Sequence, residues 1–221
     1  MKFFLDTSSL YEIKKWLKYD VVDGITTNPS LISKEKSDPI KLIKEICKIV
    51  KGPVSVQVTS TNSDEMIRQA KKFKKISKQI VIKLPANKEG YIAAKYLKSK
   101  NFKINITIGF NPTQLIPFAK LNVDYFSLIL GKTEDWGFSN KKSITQSKKI
   151  LSDMNSKTKL LLASIRNEDH LIEAIEGGAE IITIPPSTWE KIFENKYTKL
   201  ALEGMNKDWK KISKNFRKKY E

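Results

Sequence analysis

Short β-rich runs alternate with longer amphipathic segments from the first residues of this chain to about residue 195. Eight runs are rich in the apolar and β-branched residues typical of strands, and in order they read KFFLDT, GITT, VSVQVT, IVIKLP, KINITIGF, YFSLIL, KLLLAS and EIITIP. Strands that alternate with helices indicate repeated βα units on a parallel sheet. Because eight units follow one another without a glycine-rich phosphate loop after the first strand, the pattern predicts a closed (β/α)8 TIM barrel rather than an open sheet.

The length of the chain predicts a single domain. Its 221 residues suffice for one sizeable core and fall within the range of single-domain α/β barrels. After the eighth unit comes one more amphipathic segment, Lys199 to Phe216, with no strand behind it. We therefore predict one domain over residues 1–221, with a barrel over about 1–195 and a C-terminal helical arm over about 196–221. The arm is expected to cover one barrel end or to pack on a neighbouring subunit.

Composition and charge narrow the classes of function. No apolar run approaches the roughly 20 residues that span a bilayer, and the start MKFFLDTSSL lacks a signal-peptide core. The sequence therefore predicts a cytoplasmic protein with no membrane partner. The net charge of +17 comes mainly from lysines spread over nearly every helix, and only residues 207–219 are densely basic. Since that distribution is typical of solvated helix faces, no specific nucleic-acid partner is expected.

A single lysine interrupts an otherwise apolar strand. Lys83 lies near the end of IVIKLP, where burial would disfavour its charged form. A neutral amine is a nucleophile toward a carbonyl carbon, so Lys83 is a candidate catalytic residue. A lysine at a strand end can also extend past the apolar wall into solvent without any chemistry. The residues predicted to surround Lys83 separate the two interpretations.

Polar residues stand at the carboxyl ends of six other strands. Barrel enzymes carry their active sites at that end, so these residues are expected to surround the lysine. They are Asp6, Thr26, Asn28, Gln57, Asn105, Thr107, Ser127, Lys132, Ser164 and Arg166. Each alone has an ordinary explanation as a strand, turn or cap residue. A whole ring of them around one lysine favours a catalytic site. The eighth strand is expected to end apolar, in Pro185 and Pro186.

The residue types in this ring suit Schiff-base chemistry. A buried amine forms an iminium with a ketone, and the iminium accepts electrons when the neighbouring C–C bond breaks. Asp6 can take the proton of the leaving oxygen and later return it. Amides and hydroxyls of the ring can hold substrate hydroxyls and water. Lys132, Ser164 and Arg166 together form a candidate phosphate clamp.

Neither a metal nor a cofactor is expected at this site. No cluster of histidine, cysteine or carboxylate residues has the spacing of metal ligands. His170 is the only histidine, and its place in a polar helix start predicts a solvated surface position. The side chains of the ring suit a small substrate that carries a ketone, hydroxyl groups and a phosphate.

Motifs along the whole chain carry a family resemblance. In order they are FLDT, GITTNPSLI, VSVQVTS, IVIKLP, NITIGF with Gln114, SLILGK, ASIRN and ITIPP. The chain resembles the small transaldolases and the related fructose-6-phosphate aldolases, and TTNPS followed by a lysine on strand four is the most specific signal. The resemblance implies a transaldolase-type barrel and a homo-oligomer, a pentamer or decamer in which the C-terminal helix packs on a neighbour.

The same resemblance implies roles for individual residues. Lys83 would form the Schiff base, Asp6 would be the acid/base at the cleaved bond, and Thr107 would help to place the catalytic water. Donor hydroxyls would be bound by Asn28, Asn105 and Ser127. The acceptor phosphate would be bound by Lys132, Ser164 and Arg166.

Three departures from the family pattern bear on the reaction. Gln57 stands where transaldolases usually carry a glutamate, and an amide can position water but cannot take its proton. Ile129 replaces the phenylalanine of transaldolases and the tyrosine of the aldolases. Lys132 replaces an arginine and keeps the charge without the bidentate fork. Gln57 favours an aldolase, whereas the missing tyrosine and the NIT and ASIRN motifs favour a transaldolase.

We therefore expect a transaldolase of the pentose phosphate pathway. It would transfer a dihydroxyacetone unit from fructose 6-phosphate or sedoheptulose 7-phosphate to an aldose phosphate. One alternative is a fructose-6-phosphate aldolase that releases free dihydroxyacetone and glyceraldehyde 3-phosphate. Another is a catalytically weak barrel that binds sugar phosphates.

Overall fold

The computed structural model describes residues 1–135, 137 and 142–220, and its strands form a closed parallel barrel. Each strand pairs with the next along the chain, and the last pairs with the first. The predicted (β/α)8 barrel is therefore confirmed. The strands are Lys2–Asp6 (β1), Gly24–Thr26 (β2), Val54–Gln57 (β3), Ile80–Pro85 (β4), Ile104–Gly109 (β5), Tyr125–Ile129 (β6), Lys159–Ala163 (β7) and Ile181–Ile184 (β8).

Helices follow each strand in the described part of the chain. None of them combines the length and the apolar character required to cross a bilayer. Their bounds are Leu10–Leu17 (α1), Pro29–Lys34 (α2), Pro39–Ile49 (α3), Ser63–Lys74 (α4), Lys88–Ser99 (α5), Pro112–Lys120 (α6), Gly131–Asp135 (α7), Ser143–Asp153 (α8), Glu168–Glu176 (α9), Pro186–Phe193 (α10), Lys196–Lys211 (α11) and Lys214–Tyr220 (α12).

Two of these helices, α2 and α7, were not predicted from the sequence. They have six and five residues, too few to produce a recognisable helical repeat of apolar side chains. Asn28 before Pro29 had a turn as its ordinary structural explanation, but the Asn28 side chain accepts a hydrogen bond from the Leu31 amide and caps α2. Both short helices follow strand ends, and both supply residues to the cavity described below.

The alternation of side chains along the strands divides the barrel interior into two layers. The lower layer is an apolar cluster of Phe4, Leu161 and Ile181, against which Tyr125 and Ala163 pack. Asp6 on β1, Ser127 on β6 and Thr183 on β8 stand two residues after Phe4, Tyr125 and Ile181, and they therefore lie on the same faces of those strands. Because strand side chains repeat every two residues, the apolar cluster closes the barrel below and the polar groups face the opening above.

The chain divides into two compact units, Met1–Pro186 and Ser187–Glu221. The first contains the complete barrel. In the second, the predicted segment from Lys199 to Phe216 is two helices rather than one, because Ile212 adopts an extended conformation, with φ −69° and ψ 138°, and ends α11. Residue 221, the last of the predicted arm, lies outside the described residues. Several apolar side chains of this unit are more than half exposed, namely Leu200, Leu202, Met205 and Phe216.

Candidate active site

A cavity of ≈ 660 Å³ opens at the carboxyl ends of the strands. Most of the side chains that the sequence singled out line it, although they come from seven different strands or the segments that follow them. Those lining residues are Asp6, Thr26, Asn28, Gln57, Lys83, Thr107, Ser127, Lys132, Ser164 and Arg166. The closed barrel thus brings the predicted ring together at one end, as barrel geometry requires.

Lys83 is buried on β4, with 7 % of its surface exposed. Its Nζ donates a hydrogen bond to the main-chain oxygen of Thr27 at 3.0 Å, so the side chain points into the barrel and does not extend into solvent. Burial lowers the pKa of Lys83, because the ammonium loses hydration, while the charge of Asp6 acts in the opposite direction. The lysine therefore has more neutral, nucleophilic amine at neutral pH than a surface lysine has.

Asp6 ends β1 and is partly buried in the same cavity. Burial raises the pKa of this carboxyl, and the charge of Lys83 and a hydrogen bond from Thr26 oppose the rise. The Thr26 hydroxyl donates to Asp6 Oδ1 at 2.7 Å. A carboxyl whose pKa is raised can hold and release a proton closer to neutral pH than an exposed aspartate can.

Asn105 lies beneath the cavity surface instead of lining it. Asn105 is fully buried, and both the oxygen and the nitrogen of its side-chain amide make hydrogen bonds. Ser127 Oγ donates to Asn105 Oδ1 at 2.7 Å, and Asn105 Nδ2 donates to Ser55 Oγ at 3.3 Å. Asn105 thus holds Ser127 in place, and its direct contact with a substrate stays a prediction. Ser55 was not predicted from the sequence.

A β-bulge at the end of β5 turns two consecutive residues toward the cavity. Asn105 and Ile106 pair in register with β6, but the register then shifts by one residue before Gly109. In the bulge Ile108 has φ +61°, a left-handed conformation that is strained for a β-branched residue. As a result Thr107 and Ile108 both line the cavity. Strain of this kind is often found at functional sites.

The rim of the cavity carries the candidate phosphate clamp. Lys132 lies exposed on α7, and Ser164 follows β7 with φ +63°. Arg166 Nη2 donates to Asp135 Oδ2 at 2.6 Å, and both side chains are about half exposed. Gly131 leaves room for this arrangement, because a side chain there would collide with the Arg166 side chain and the Ser164 oxygen.

The predicted surface position of His170 is wrong. Only 2 % of the residue is exposed, and its Nδ1 accepts a hydrogen bond from the Arg166 main-chain nitrogen at 3.2 Å. Asn167 caps α9 through the His170 amide, which places the ring against the loop after β7. His170 therefore supports the loop that carries Arg166. In the described part of the chain no three His, Cys, Asp or Glu side chains group in a way that could hold a metal ion.

The eighth strand ends in apolar Ile184, before Pro185 and Pro186, but Thr183 of β8, which was not predicted as a site residue, lines the cavity. Its hydroxyl lies 2.6 Å from that of Thr26, and the residue is 1 % exposed. The signal was present in the sequence, since Thr183 is the single polar residue of ITI and stands two residues after Ile181 on the inward face. Pro185 and Pro186 come after the strand and do not line the cavity.

The fold and the cavity define a (β/α)8 barrel with a buried lysine beside a carboxyl group at its carboxyl-terminal end. The model of the family described as transaldolase/fructose-6-phosphate aldolase matches residues 3–221. The chain therefore belongs to that family, as its motifs predicted.

Relatives at about 40 % identity span nearly the whole chain. A probable transaldolase of Nitrosopumilus maritimus is 39 % identical over 213 residues, which cover 96 % of each chain. A probable transaldolase of Dictyoglomus turgidum is 40 % identical over 214 residues, 97 % of this chain and 100 % of the relative. Probable transaldolase 2 of Listeria monocytogenes is 40 % identical over 213 residues, with coverage of 96 % and 98 %.

A more distant likeness concerns the fold alone. The crystal structure of inosine 5′-monophosphate dehydrogenase from Legionella pneumophila superposes with a TM-score of 0.60 at 12 % sequence identity. The match covers 84 % of this chain and 58 % of the dehydrogenase chain. At that identity the two proteins share a barrel architecture, and the likeness carries no information about activity.

Proposed function

We propose that this protein is a transaldolase that works through a Schiff base on Lys83. The observation that carries the proposal is the buried Lys83 in one cavity with Asp6, each with its pKa moved toward neutral pH by burial. Membership of the family and the names of the relatives support the same activity. The donor would be fructose 6-phosphate or sedoheptulose 7-phosphate, within the pentose phosphate pathway, and the site of action would be the cytoplasm.

In the first half-reaction the neutral amine of Lys83 attacks C2 of the ketose. The C2 oxygen leaves as water and an iminium forms. Asp6 then takes the proton of the C4 hydroxyl, the C3–C4 bond breaks, and its electron pair moves to the iminium to give an enamine. The aldose phosphate that contains C4 departs, and a three-carbon unit stays bound to the lysine.

In the second half-reaction the enamine attacks the aldehyde carbon of an acceptor aldose phosphate. Asp6 returns its proton to the new alkoxide, and water adds to the iminium and releases the product ketose. Thr107 and Gln57, which line the cavity, are suited to place this water. The amide of Gln57 cannot accept a proton, so the proposal assigns the acid/base steps to Asp6.

Substrate binding would be shared between two sets of residues. Thr26, Asn28 and Ser127 face the cavity with groups that can hydrogen-bond to the donor hydroxyls. Asn105 would act through Ser127, which it holds at 2.7 Å. The substrate phosphate would be bound at the rim, where Lys132, Ser164 and Arg166 provide two cations and a hydroxyl.

Borohydride trapping tests the proposal directly. With fructose 6-phosphate present, reduction should attach a covalent adduct to Lys83, to be located by mass spectrometry of peptides. Lys83→Met is the matched control and should take up no adduct, because a thioether cannot form an iminium. An unmodified Lys83 in the wild-type protein would refute the mechanism. Retained sugar-phosphate binding together with activity equal to that of Lys83→Met would instead favour a catalytically weak binding barrel.

A fructose-6-phosphate aldolase remains the second candidate because of Gln57, the residue type that such aldolases carry at this position. The two activities differ in their need for an acceptor. Without an aldose acceptor a transaldolase stops after one three-carbon unit per site, whereas an aldolase continues and releases dihydroxyacetone. The amount of glyceraldehyde 3-phosphate formed per site without acceptor is therefore the deciding measurement, and continued release would overturn the transaldolase assignment.

A further inference from the structure

The hydroxyls of Thr26 and Thr183 form a buried contact beside Asp6. Their oxygens are 2.6 Å apart, and each residue is 1 % exposed. The two threonines belong to β2 and β8, the strands that pair with β1 on either side. The strand that ends in Asp6 therefore lies between two strands whose hydroxyls meet inside the barrel.

Counting protons fixes the direction of this contact when Asp6 is ionised. A hydroxyl has one proton to donate, and Thr26 donates its proton to Asp6 Oδ1 at 2.7 Å. Thr26 must then be the acceptor at its contact with Thr183, and Thr183 must be the donor. The opposite direction would turn a lone pair of Thr26 toward the Asp6 carboxylate at 2.7 Å, which is repulsive.

We propose that Thr183 is a positioning residue that acts on Asp6 through Thr26, by fixing the direction in which the Thr26 hydroxyl donates its proton. The proposal deepens the function proposed above and rests on it for the role of Asp6. A chain of two hydroxyls that ends on a carboxylate is polarised along its length, so each hydrogen bond strengthens the next. Thr183 thereby favours the ionised form of Asp6, the form that accepts a proton from substrate.

Other charged groups around Asp6 also influence its pKa and must stay unchanged when the Thr183–Thr26–Asp6 hydrogen bonds are tested. Lys83 on β4 is the residue whose charge acts on Asp6, and it favours the ionised carboxyl. The flanking strands β2 and β8 contain no charged residue, and Lys34, Lys132 and Arg166 line the same cavity. Removal of the Thr183 hydroxyl leaves these charges in place, so a change in the pKa of Asp6 in such a variant is not caused by a change of charge around it.

The test compares Thr183→Val with Thr183→Ser. Valine keeps the shape of threonine and removes the hydroxyl, whereas serine keeps the hydroxyl and removes the methyl group. We expect the acidic limb of the pH profile of kcat/KM to move up by about 0.5 to 1 pH unit in Thr183→Val. In Thr183→Ser the limb should stay at its wild-type position. If Thr183 only filled space, Thr183→Ser would be the more harmful substitution, because it loses the methyl group that Thr183→Val keeps.

An NMR titration provides a measurement that does not depend on activity. With ¹³C-labelled aspartate, and with Asp6→Asn to assign the signal, the pKa of Asp6 should be higher in Thr183→Val than in wild type and unchanged in Thr183→Ser. Thr183→Ala repeats the loss of the hydroxyl if valine impairs folding. Equal Asp6 titrations in all variants would overturn the proposal. If the Asp6 titration shifts in Thr183→Val but borohydride does not trap Lys83 in the wild-type protein, the role of Thr183 in positioning Asp6 would be supported. The proposed function would then be refuted.

Discussion

The floor and the rim of the cavity are built in opposite ways. The floor consists of Asp6, Thr26, Lys83, Asn105, Ser127 and Thr183. The rim consists of Lys132, Ser164 and Arg166. Each floor side chain hydrogen-bonds to another part of the barrel, and apart from the partly exposed Asp6 they are buried. At the rim Arg166 and Lys132 lie in solvent, and Arg166 pairs with an exposed aspartate.

In the proposed mechanism this difference separates the residues that carry out the chemistry from those that bind the substrate phosphate. Groups that must exchange a proton or form a covalent bond gain from low exposure, because burial changes their pKa values and strengthens their mutual electrostatic interaction. Groups that only attract a phosphate act well in water, where salt screens them and their side chains can adjust. Changes at the floor should therefore affect kcat, and changes at the rim should affect KM and its dependence on salt.

The largest effect is expected from Asp6→Asn. Asparagine keeps the shape and an oxygen that can accept from Thr26, but it cannot take the substrate proton, so kcat should fall by roughly 10² to 10⁴. Trapping of Lys83 by borohydride should persist, because loss of the Asp6 charge lowers the pKa of Lys83 further. Steady-state kinetics and trapping on the same preparation check both parts. A kcat close to wild type would contradict the proton-transfer role of Asp6.

A smaller effect, of a different kind, is expected from Arg166→Ala. Hydrogen bonds to charged groups contribute about 1.5–3 kcal/mol, so KM for fructose 6-phosphate should rise roughly 10- to 100-fold with little change in kcat. Non-phosphorylated fructose serves as the control substrate, and its kinetics should not respond. Arg166→Lys should recover only part of the loss, because lysine lacks the bidentate fork. A fall in kcat with unchanged KM would break the division between floor and rim.

The smallest effect is expected from Asp135→Asn. Arg166 is paired with Asp135, and a phosphate must compete with that carboxylate. Exposed ion pairs contribute about 0.2–1 kcal/mol, so the variant should bind fructose 6-phosphate roughly 1.5- to 5-fold more tightly. Calorimetry in a Lys83→Met background measures binding without turnover.

Asp153→Asn is the matched control for this measurement. Asp153 pairs with Lys149 on the solvent-facing side of α8, and neither residue lines the cavity. Its loss changes the net charge by the same amount and should leave the affinity unchanged. An equal gain in affinity for fructose 6-phosphate in both variants would mean that net charge causes the effect. An unchanged affinity in Asp135→Asn would show that the Arg166–Asp135 ion pair does not compete with the phosphate.

Local patterns explain which parts were predictable. Strands and long helices repeat with periods that are visible within ten residues, so the barrel and most of its elements followed from the sequence. The position of Lys83 was predictable because a single charge in IVIKLP stands out from its neighbours. The short helices α2 and α7 escaped prediction because five or six residues hold no complete amphipathic repeat. His170 escaped because its environment is the loop after β7, which a helix pattern does not describe.

The eight βα units, the family motifs and the polar residues at strand ends can all be read from the sequence, because they depend on neighbours along the chain. Which of those residues meet depends on how the barrel closes. Thr26 and Thr183 are 157 positions apart and touch only because the last strand closes on the first. The bulge that turns Ile108 inward and the pair of Arg166 with Asp135 depend in the same way on residues distant in sequence. The burial of Lys83 is likewise a property of the closed barrel, since desolvation requires walls contributed by every strand.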